Sequence, residues 1–307
     1  MDIFSGESIL SQVPDVNHWL ASYGLNSTTS RYSRYISYID AFFESKDPTS
    51  SDGRDKFDLL TKSYAEIIEI VSVKKAFEHE RSPGFIERLS KVVSGVDHVG
   101  IKEPSEPRNF LYELLMAARL KNAGFIIDFD QGTDVVAYGF GRAIFVECKR
   151  TTSIRGFESN FIKGGKQLER KFKSTKLPHF MIRGFIAIDV LPYVLNDIPK
   201  FEIDNEMEAR ICARIVMERF KQDASRHINK YISRYENVSA GVVIMAMIPV
   251  WLRDVILLHV NEIAHVIPPS TKEGANKQVI SSQADSLIKI SRIWADFFPA
   301  NTSNQPI

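Results

Sequence analysis

Two short apolar runs that flank a glycine-containing turn constrain this chain more than any other stretch. Residues 135–138 (VVAY) and 143–146 (AIFV) are apolar and mostly β-branched or aromatic, and Gly139 and Gly141 lie between them. Runs of this kind on either side of glycine predict a β-hairpin.

Alternation along the predicted second strand places a carboxylate and an ammonium group side by side. Successive side chains of a strand point to opposite faces of the sheet. Glu147 and Lys149 therefore share one face, and Cys148 lies on the other. Asp134 opens the partner strand, and a hairpin would bring it near Glu147.

Two carboxylates beside an ammonium group suit the metal-assisted hydrolysis of a phosphodiester bond. Mg²⁺ prefers oxygen ligands and usually takes one or two carboxylates, which leaves positions for water and phosphate. The ion polarises a phosphoryl oxygen and lowers the pKa of bound water. A lysine can orient that water or offset the charge that builds up on phosphorus.

At these residues the chain resembles the PD-(D/E)XK superfamily of restriction-endonuclease-like nucleases. The family pattern is an acidic residue on a first helix, an aspartate on a strand and Glu/Asp-x-Lys on the next strand. The matching residues are Glu113, Asp134 and Glu147-Cys148-Lys149, with spacings of 21 and 13 residues, and Thr133 stands in place of the proline. The resemblance covers residues 107–191.

The resemblance implies an α/β fold with a restriction-endonuclease-like core, in which helices flank a mixed central β-sheet. It also implies a site for Mg²⁺ or Mn²⁺, held by Asp134, Glu147 and the backbone carbonyl of Cys148. Lys149 would orient the attacking water or stabilise the charged transition state. Glu113 would complete the site, either directly or through water.

The acidic positions have alternative interpretations. Glu113 falls on the apolar side of a helix expected over residues 107–124, where an unpaired carboxylate costs free energy. It would therefore contact a buried arginine, a backbone amide or the metal. Asp130 would substitute for Asp134 if Asp134 were remote from the site, and Asp128 is a second competitor.

Positive charge concentrates directly after the predicted catalytic strand. Residues 149–176 contain nine Lys or Arg against two Glu, a local charge of +7, whereas the whole chain carries +1. Such clustering beside a phosphodiester site favours a nucleic-acid partner, although a solvated helix face is the alternative. The candidate phosphate contacts are Lys163, Lys166 and Arg170. Gln167 joins them because some branches of the family carry a glutamine on this helix.

A glycine pair interrupts the helix predicted over residues 158–173. Each glycine costs roughly 1 kcal/mol in a helix interior. Gly164 and Gly165 therefore predict either that the helix starts near Gly165 or that backbone comes close to a ligand.

Composition narrows the class of protein. The chain is 44% apolar and 25% charged, as is typical of soluble globular proteins. With only two cysteines, neither a disulfide framework nor a Cys-rich zinc site is expected. The first residues do not match a signal peptide, and the longest apolar run, 241–252, contains Pro249 and is too short to span a bilayer. We therefore expect a cytoplasmic protein with no membrane partner and, because no glycine motif fits a phosphate-binding loop, no nucleotide cofactor.

Helix and strand patterns divide the chain into three parts. Residues 1–100 form a helical N-terminal region, 101–298 the nuclease-like domain and 299–307 a flexible tail. Within the second part, the predicted strands cover 124–129, 181–191, 241–248 and 255–260, and the predicted helices further along cover 205–235 and 279–298. Tyrosines interleaved with arginines at 31–38 would either stack on nucleic acid or, as we favour, form core.

These features favour a metal-dependent nuclease that hydrolyses phosphodiester bonds. DNA is expected rather than RNA, and an endonuclease in restriction, antiviral defence or repair is the expected role. A catalytically inactive nuclease-fold protein that binds nucleic acid or assembles a complex is the first alternative. The second is another fold, in which Glu147 and Lys149 form an ordinary surface ion pair. A protein partner or a homodimer is compatible with the nuclease and with its inactive counterpart.

Overall fold

One mixed β-sheet with helices on both faces organises the chain, which is therefore an α/β protein, as predicted. The computed structural model describes residues 3–5, 10–25, 30–44, 51–94, 105–175, 177, 179–194, 202–235, 237–252 and 256–266. Within these ranges all eight strands belong to a single sheet.

The helices and strands follow one another in the order of the chain. The helices are α1 (Val13–Ala21), α2 (Arg31–Phe43), α3 (Ser51–Phe77), α4 (Pro83–Val93), α5 (Glu106–Asn122), α6 (Ile154–Ser174), α7 (Leu191–Val194) and α8 (Glu206–Arg234). The strands are β1 (Ile3–Ser5), β2 (Ile126–Asp128), β3 (Val135–Gly139), β4 (Arg142–Arg150), β5 (Met181–Asp189), β6 (Glu202–Ile203), β7 (Ser239–Leu252) and β8 (Ile256–Val266).

The strand order explains why the sheet is mixed. Across the sheet the order is β1-β8-β7-β5-β4-β3-β2, and the short β6 pairs with β7. Strands β4, β5 and β7 run parallel to one another, because α6 and α8 return the chain to the same end of the sheet between them. The pairs β2–β3, β3–β4 and β7–β8 are antiparallel.

Strands β3 and β4 form the predicted hairpin. Val135 pairs with Val146 and Gly139 pairs with Arg142. Its turn has two successive residues at positive φ, Phe140 at 52° and Gly141 at 69°. Two such residues let a short turn follow the twist of its strands. The register puts Asp134, which precedes Val135, beside the C-terminal end of β4.

Two hydrophobic clusters cover the two faces of the sheet. Helices α1–α5 pack on one face, where Val146 and Cys148 belong to their cluster. Helices α6 and α8 pack on the other, where Phe145 belongs to the second cluster. The alternation of side chains predicted along β4 is therefore confirmed.

The N-terminal helices share a core with the sheet. Tyr32 and Tyr35 are fully buried in the same cluster as Val146, so these tyrosines form core, as favoured from the sequence. Arg31 between these helices is also buried, with 1% of its side chain exposed, and pairs with Glu66 at 3.0 Å. The boundary predicted near residue 100 lies outside the described residues.

Helix α6 does not start near Gly165, so this one of the two predictions about the glycine pair is wrong. It begins at Ile154, after the capping residue Ser153, and runs without a break through Gly164 and Gly165. The pair allows close packing. A Cβ added to Gly164 would lie 2.7 Å from Cδ1 of Ile186, and one added to Gly165 would clash with the ring of Tyr235.

Substituting Gly165 with alanine should therefore lower the free energy of unfolding, even though alanine is the better helix former. Overpacking against a ring costs about 1–3 kcal/mol, and the gain in helix propensity of roughly 1 kcal/mol offsets only part of it. Urea denaturation followed by circular dichroism measures the net effect. Ser159→Ala, at an exposed position of α6, is the matched control and should be neutral or slightly stabilising. A stabilising Gly165→Ala would contradict the close contact with Tyr235.

Several strands differ in length from the predicted ones. Strand β7 extends to Leu252 through Pro249, and β8 extends to Val266, because the two pair along their whole length. Strand β2 covers only three residues. The predicted helix 279–298 and the tail 299–307 lie outside the described residues. Among the helices of the described ranges, none combines the length and the apolarity needed to cross a membrane.

Candidate active site

The C-terminal end of β4 brings together the residues singled out from the sequence. Glu147 and Lys149 lie on the face that α6 covers, and Gly164 of α6 crosses directly over Glu147. The absence of a side chain at Gly164 lets the helix approach so closely that only 3% of the Glu147 side chain is exposed. Asp134 reaches the same place from the start of β3.

Three oxygen atoms surround the ammonium group of Lys149. Its Nζ lies 3.1 Å from Oδ2 of Asp134 and 3.1 Å from Oε2 of Glu147. It also donates to the carbonyl oxygen of Cys148 at 3.0 Å. The Lys149 and Asp134 side chains remain 15% and 23% exposed, so the group opens to solvent.

The backbone of β4 fixes the orientation of Asp134. The amide of Cys148 donates to Oδ2 of Asp134 at 2.7 Å. Since the same oxygen also accepts from Lys149, one carboxylate oxygen joins the strand backbone to the ammonium group. The Cys148 thiol itself is buried on the other face, and burial raises its pKa well above the ordinary value.

Glu113 approaches this group from α5, on the other side of the sheet. Oε2 of Glu113 lies 3.6 Å from Nε of Arg88 on α4. Of the alternatives for Glu113, the pairing with an arginine is the contact present in the described structure. The carboxyl is also close enough to Asp134, Lys149 and Glu147 to feel their charges.

The electrostatics of the site are those of crowded carboxylates around one cation. Burial and the charge of Asp134 raise the pKa of Glu147 to about 7, although Lys149 acts in the opposite direction. Burial and Asp134 likewise raise the pKa of Glu113 to about 8, against Arg88. Burial alone would lower the pKa of Lys149, but Asp134 and Glu147 outweigh it and the pKa is raised.

The donor set is of the kind that binds a divalent ion, although it is arranged around an ammonium group. Among the described residues, no group of three or more His, Cys, Asp or Glu side chains is arranged as a metal cluster. The three oxygens around Lys149 are nevertheless two carboxylates and a backbone carbonyl, the hard ligands that Mg²⁺ and Mn²⁺ accept. Asp134, Glu147 and the carbonyl of Cys148 therefore fit such an ion by chemistry.

The competing aspartates lie elsewhere. Oδ1 of Asp128 accepts from the amide of Asp130, and its Oδ2 accepts from the Gln131 side chain. Asp130 accepts from the amide of Gly84 at 3.1 Å, which ties the β2–β3 loop to the start of α4. Both have structural partners away from Lys149, so the substitution of Asp130 for Asp134 is not needed.

The candidate phosphate contacts lie on α6, along the helix that crosses the site. Lys163, Lys166 and Arg170 are exposed, and Gln167 is half-buried. Lys163 directly precedes Gly164, at the crossing over Glu147. These three basic residues therefore form a basic surface on the solvent side of α6, the helix that covers the carboxylates.

Two ion pairs that border the site were not predicted from the sequence. Arg88, in a region without an assigned role, balances Glu113 and also donates to the carbonyl of Phe129 at 2.6 Å. Arg150 pairs with Asp189 at 2.7 Å. Asp189 also accepts from the amide of Leu191, so both oxygens of this carboxylate have partners within the fold. No local pattern marks Arg88, because its partners are distant in sequence.

Chemically, the arrangement offers buried carboxylates of raised pKa, a cation held between two of them, an opening to solvent and a basic helix alongside. Such perturbed groups gathered in one place are typical of functional sites. Comparisons of this chain with protein-family models, with curated proteins and with solved structures found no match.

Proposed function

We propose that this protein is a metal-dependent nuclease that hydrolyses phosphodiester bonds, with a restriction-endonuclease-like core and DNA as the substrate. The observation that carries the proposal is the convergence of Asp134, Glu147 and the Cys148 carbonyl within 3.0–3.1 Å of one ammonium group. Glu113 adds a third carboxyl of raised pKa. In support of the proposed core, α5 carries Glu113, Asp134 directly precedes β3, and β4 carries Glu147 and Lys149, which is the order of the family pattern.

Each residue has a role that follows from its position. Asp134, Glu147 and the carbonyl of Cys148 would hold Mg²⁺ or Mn²⁺, which supplies Lewis acidity and an acidified water. Lys149 would offset negative charge on the phosphoryl group, because its partly exposed side chain borders the solvent opening where a phosphate would arrive. Glu113, with its raised pKa, accepts or returns a proton through water near neutral pH. Arg88 keeps Glu113 in place.

Cleavage of supercoiled plasmid tests the proposal. Purified protein should convert the plasmid to nicked or linear forms with Mg²⁺ or Mn²⁺ and should fail to do so with EDTA. A Glu147→Gln protein prepared identically separates this site from a contaminating nuclease. Cleavage that is equal in the two preparations would refute the assignment of the site.

Reversing charge on α6 should weaken DNA binding. We expect that the triple variant Lys163→Glu, Lys166→Glu, Arg170→Glu binds duplex DNA more weakly. A plot of the logarithm of the binding constant against the logarithm of the salt concentration should also become less steep, by about 0.9 for each phosphate contact removed. Fluorescence anisotropy at several salt concentrations, with EDTA present, measures both quantities. The triple variant Arg214→Glu, Arg219→Glu, Arg226→Glu, at exposed positions of α8, changes the net charge by the same amount and is the control, and an equal loss in that variant would contradict a role for the α6 surface.

A catalytically inactive nuclease fold that binds nucleic acid or assembles a complex is the second candidate. The observation in its favour is that the ammonium of Lys149 already fills the centre between the oxygens, and that the described residues contain no ready metal cluster. This candidate predicts salt-dependent DNA binding that requires the α6 surface, with no cleavage at any concentration of Mg²⁺ or Mn²⁺.

A further inference from the structure

One nitrogen atom occupies the place where the proposed metal ligands converge. Oδ2 of Asp134, Oε2 of Glu147 and the carbonyl of Cys148 all lie within 3.0–3.1 Å of Nζ of Lys149. These are the atoms assigned to the metal, and the ammonium uses all three of its donors on them. The ammonium of Lys149 therefore occupies the position that a metal ion would take and supplies the positive charge there.

A divalent ion and this ammonium cannot share the centre. Mg²⁺ takes its oxygens at about 2.0–2.1 Å, so an ion among the same three oxygens would overlap the nitrogen and repel its charge. We propose that Lys149 is an internal counter-cation of the metal site, and that a divalent ion binds by displacing its ammonium group. The inference rests on the proposed function, since it concerns the same ligands.

The surroundings permit this exchange. Asp134 does not depend on Lys149 for its position, because the amide of Cys148 holds the same oxygen at 2.7 Å. The Glu147 side chain is 3% exposed, and the close approach of α6 at Gly164 confines it at its Cβ. Asp134 would therefore stay in place when the ammonium leaves, and Glu147 would have little room to move. The exposed part of the Lys149 side chain gives the group a path towards solvent.

The exchange has a consequence for the order of binding. Until a metal binds, all three donors of the ammonium are engaged within the protein, and none is available to a phosphate. Once displaced, the same group lies at the opening with free donors. Metal binding therefore precedes productive binding of a phosphodiester, and a protein without metal keeps its carboxylates neutralised.

Removing the ammonium should strengthen metal binding, because the ion no longer displaces a competitor. Each hydrogen bond between charged groups contributes about 1.5–3 kcal/mol, so we expect that Lys149→Met binds Mn²⁺ about tenfold to a hundredfold more tightly than the unaltered protein. Isothermal titration calorimetry with Mn²⁺ alone measures this. Lys173→Met, an exposed lysine near the end of α6, is the control and should bind as the unaltered protein does.

A second measurement uses the unaltered protein and does not depend on how the variant folds. Reductive methylation, quantified by mass spectrometry, should label Lys149 slowly without metal and faster when Mn²⁺ is added, with Lys173 as the internal reference. Labelling of Lys149 that is unchanged or slowed by bound Mn²⁺ would overturn the displacement. So would equal or weaker binding of Mn²⁺ by Lys149→Met. If neither protein binds Mn²⁺, the proposed function itself fails.

Discussion

Substituting Glu66 with glutamine should lower the free energy of unfolding by about 3–5 kcal/mol, because it leaves two buried guanidinium groups without their counter-ion. Glu66 on α3 lies 3.0 Å from Nη2 of Arg31 and 2.6 Å from Nε of Arg108. Its side chain is 0% exposed, and those of the two arginines are 1% and 9% exposed. Such a triad contributes little net stability when intact, yet it is costly to break.

The arrangement of helices explains why the effect should be large. Arg31 is on α2 and Arg108 on α5, so Glu66 joins three helices that cover one face of the sheet. Burial favours the neutral form of Arg31, but Glu66 more than compensates and raises the pKa of Arg31. The neighbouring Glu69 has its pKa raised to about 8 by burial and by Glu66. Glu69 is therefore mostly protonated at neutral pH, and without Glu66 the two guanidinium groups lack an ionised carboxylate unless Glu69 ionises in its place.

Urea denaturation with a far-ultraviolet signal measures this loss. Glu87→Gln is the matched control, since Glu87 also accepts a charged hydrogen bond, from Lys91 at 2.7 Å, but lies on the surface with 67% of its side chain exposed. The midpoint of Glu87→Gln should hardly move. If Glu66→Gln shifted the midpoint no more than Glu87→Gln does, the two buried arginines would not depend on Glu66 as their counter-ion. Because Arg108 precedes Glu113 on the same helix, the variant should also loosen the position of Glu113.

What the sequence predicts well is local. The hairpin, the alternation of side chains along β4 and the approach of Asp134 to Glu147 all follow from apolar runs around glycine. They involve residues within one supersecondary unit, where alternation and antiparallel pairing dictate the neighbours. The mixed sheet flanked by helices follows from the same patterns, extended along the chain.

What the sequence does not predict is set by distant packing. The glycine pair on α6 suggested a helix start near Gly165, but the helix runs through the pair, which packs against the ring of Tyr235 and the side chain of Ile186. The buried pairing of Arg31 was not predicted either, since only the folded chain reveals Glu66 opposite it. Likewise, Arg88 meets Glu113 only because α4 packs against α5. Each of these contacts joins helices or strands that are distant in sequence, and no local sequence pattern indicates that they meet.

The ammonium at the centre of the site is the most informative difference between expectation and structure. The sequence predicts that Lys149 lies beside a metal held by Asp134 and Glu147. In the described structure Lys149 itself bridges these carboxylates. A cation is needed there in either case, because two carboxylates in a buried place repel each other. What remains to be measured is which cation, the ammonium of Lys149 or a divalent metal ion, lies between Asp134 and Glu147.

Substituting Glu147 with glutamine should lower plasmid cleavage by about 10²–10³-fold, the usual cost of losing one preorganised electrostatic group. The amide has nearly the shape of the carboxylate, so α6 can still pack over it through Gly164. It lacks the negative charge that would attract the metal, and it is a weaker ligand. Cleavage should therefore recover in part when the concentration of Mn²⁺ is raised.

The response to metal separates Glu147 from Lys149. Lys149→Met should also cleave slowly, but at saturating metal its rate should stay low, because the missing group acts on the phosphate and not on the ion. Initial rates of plasmid nicking over a range of Mn²⁺ concentrations distinguish the two variants. Glu158→Gln is the control for a glutamate outside the site, since Glu158 on α6 pairs with Lys230 at 2.9 Å on the surface. We expect its rate to match that of the unaltered protein. Cleavage that remains sensitive to EDTA but unchanged in Glu147→Gln would place the metal elsewhere, and the carboxylates around Lys149 would then be a structural ion cluster.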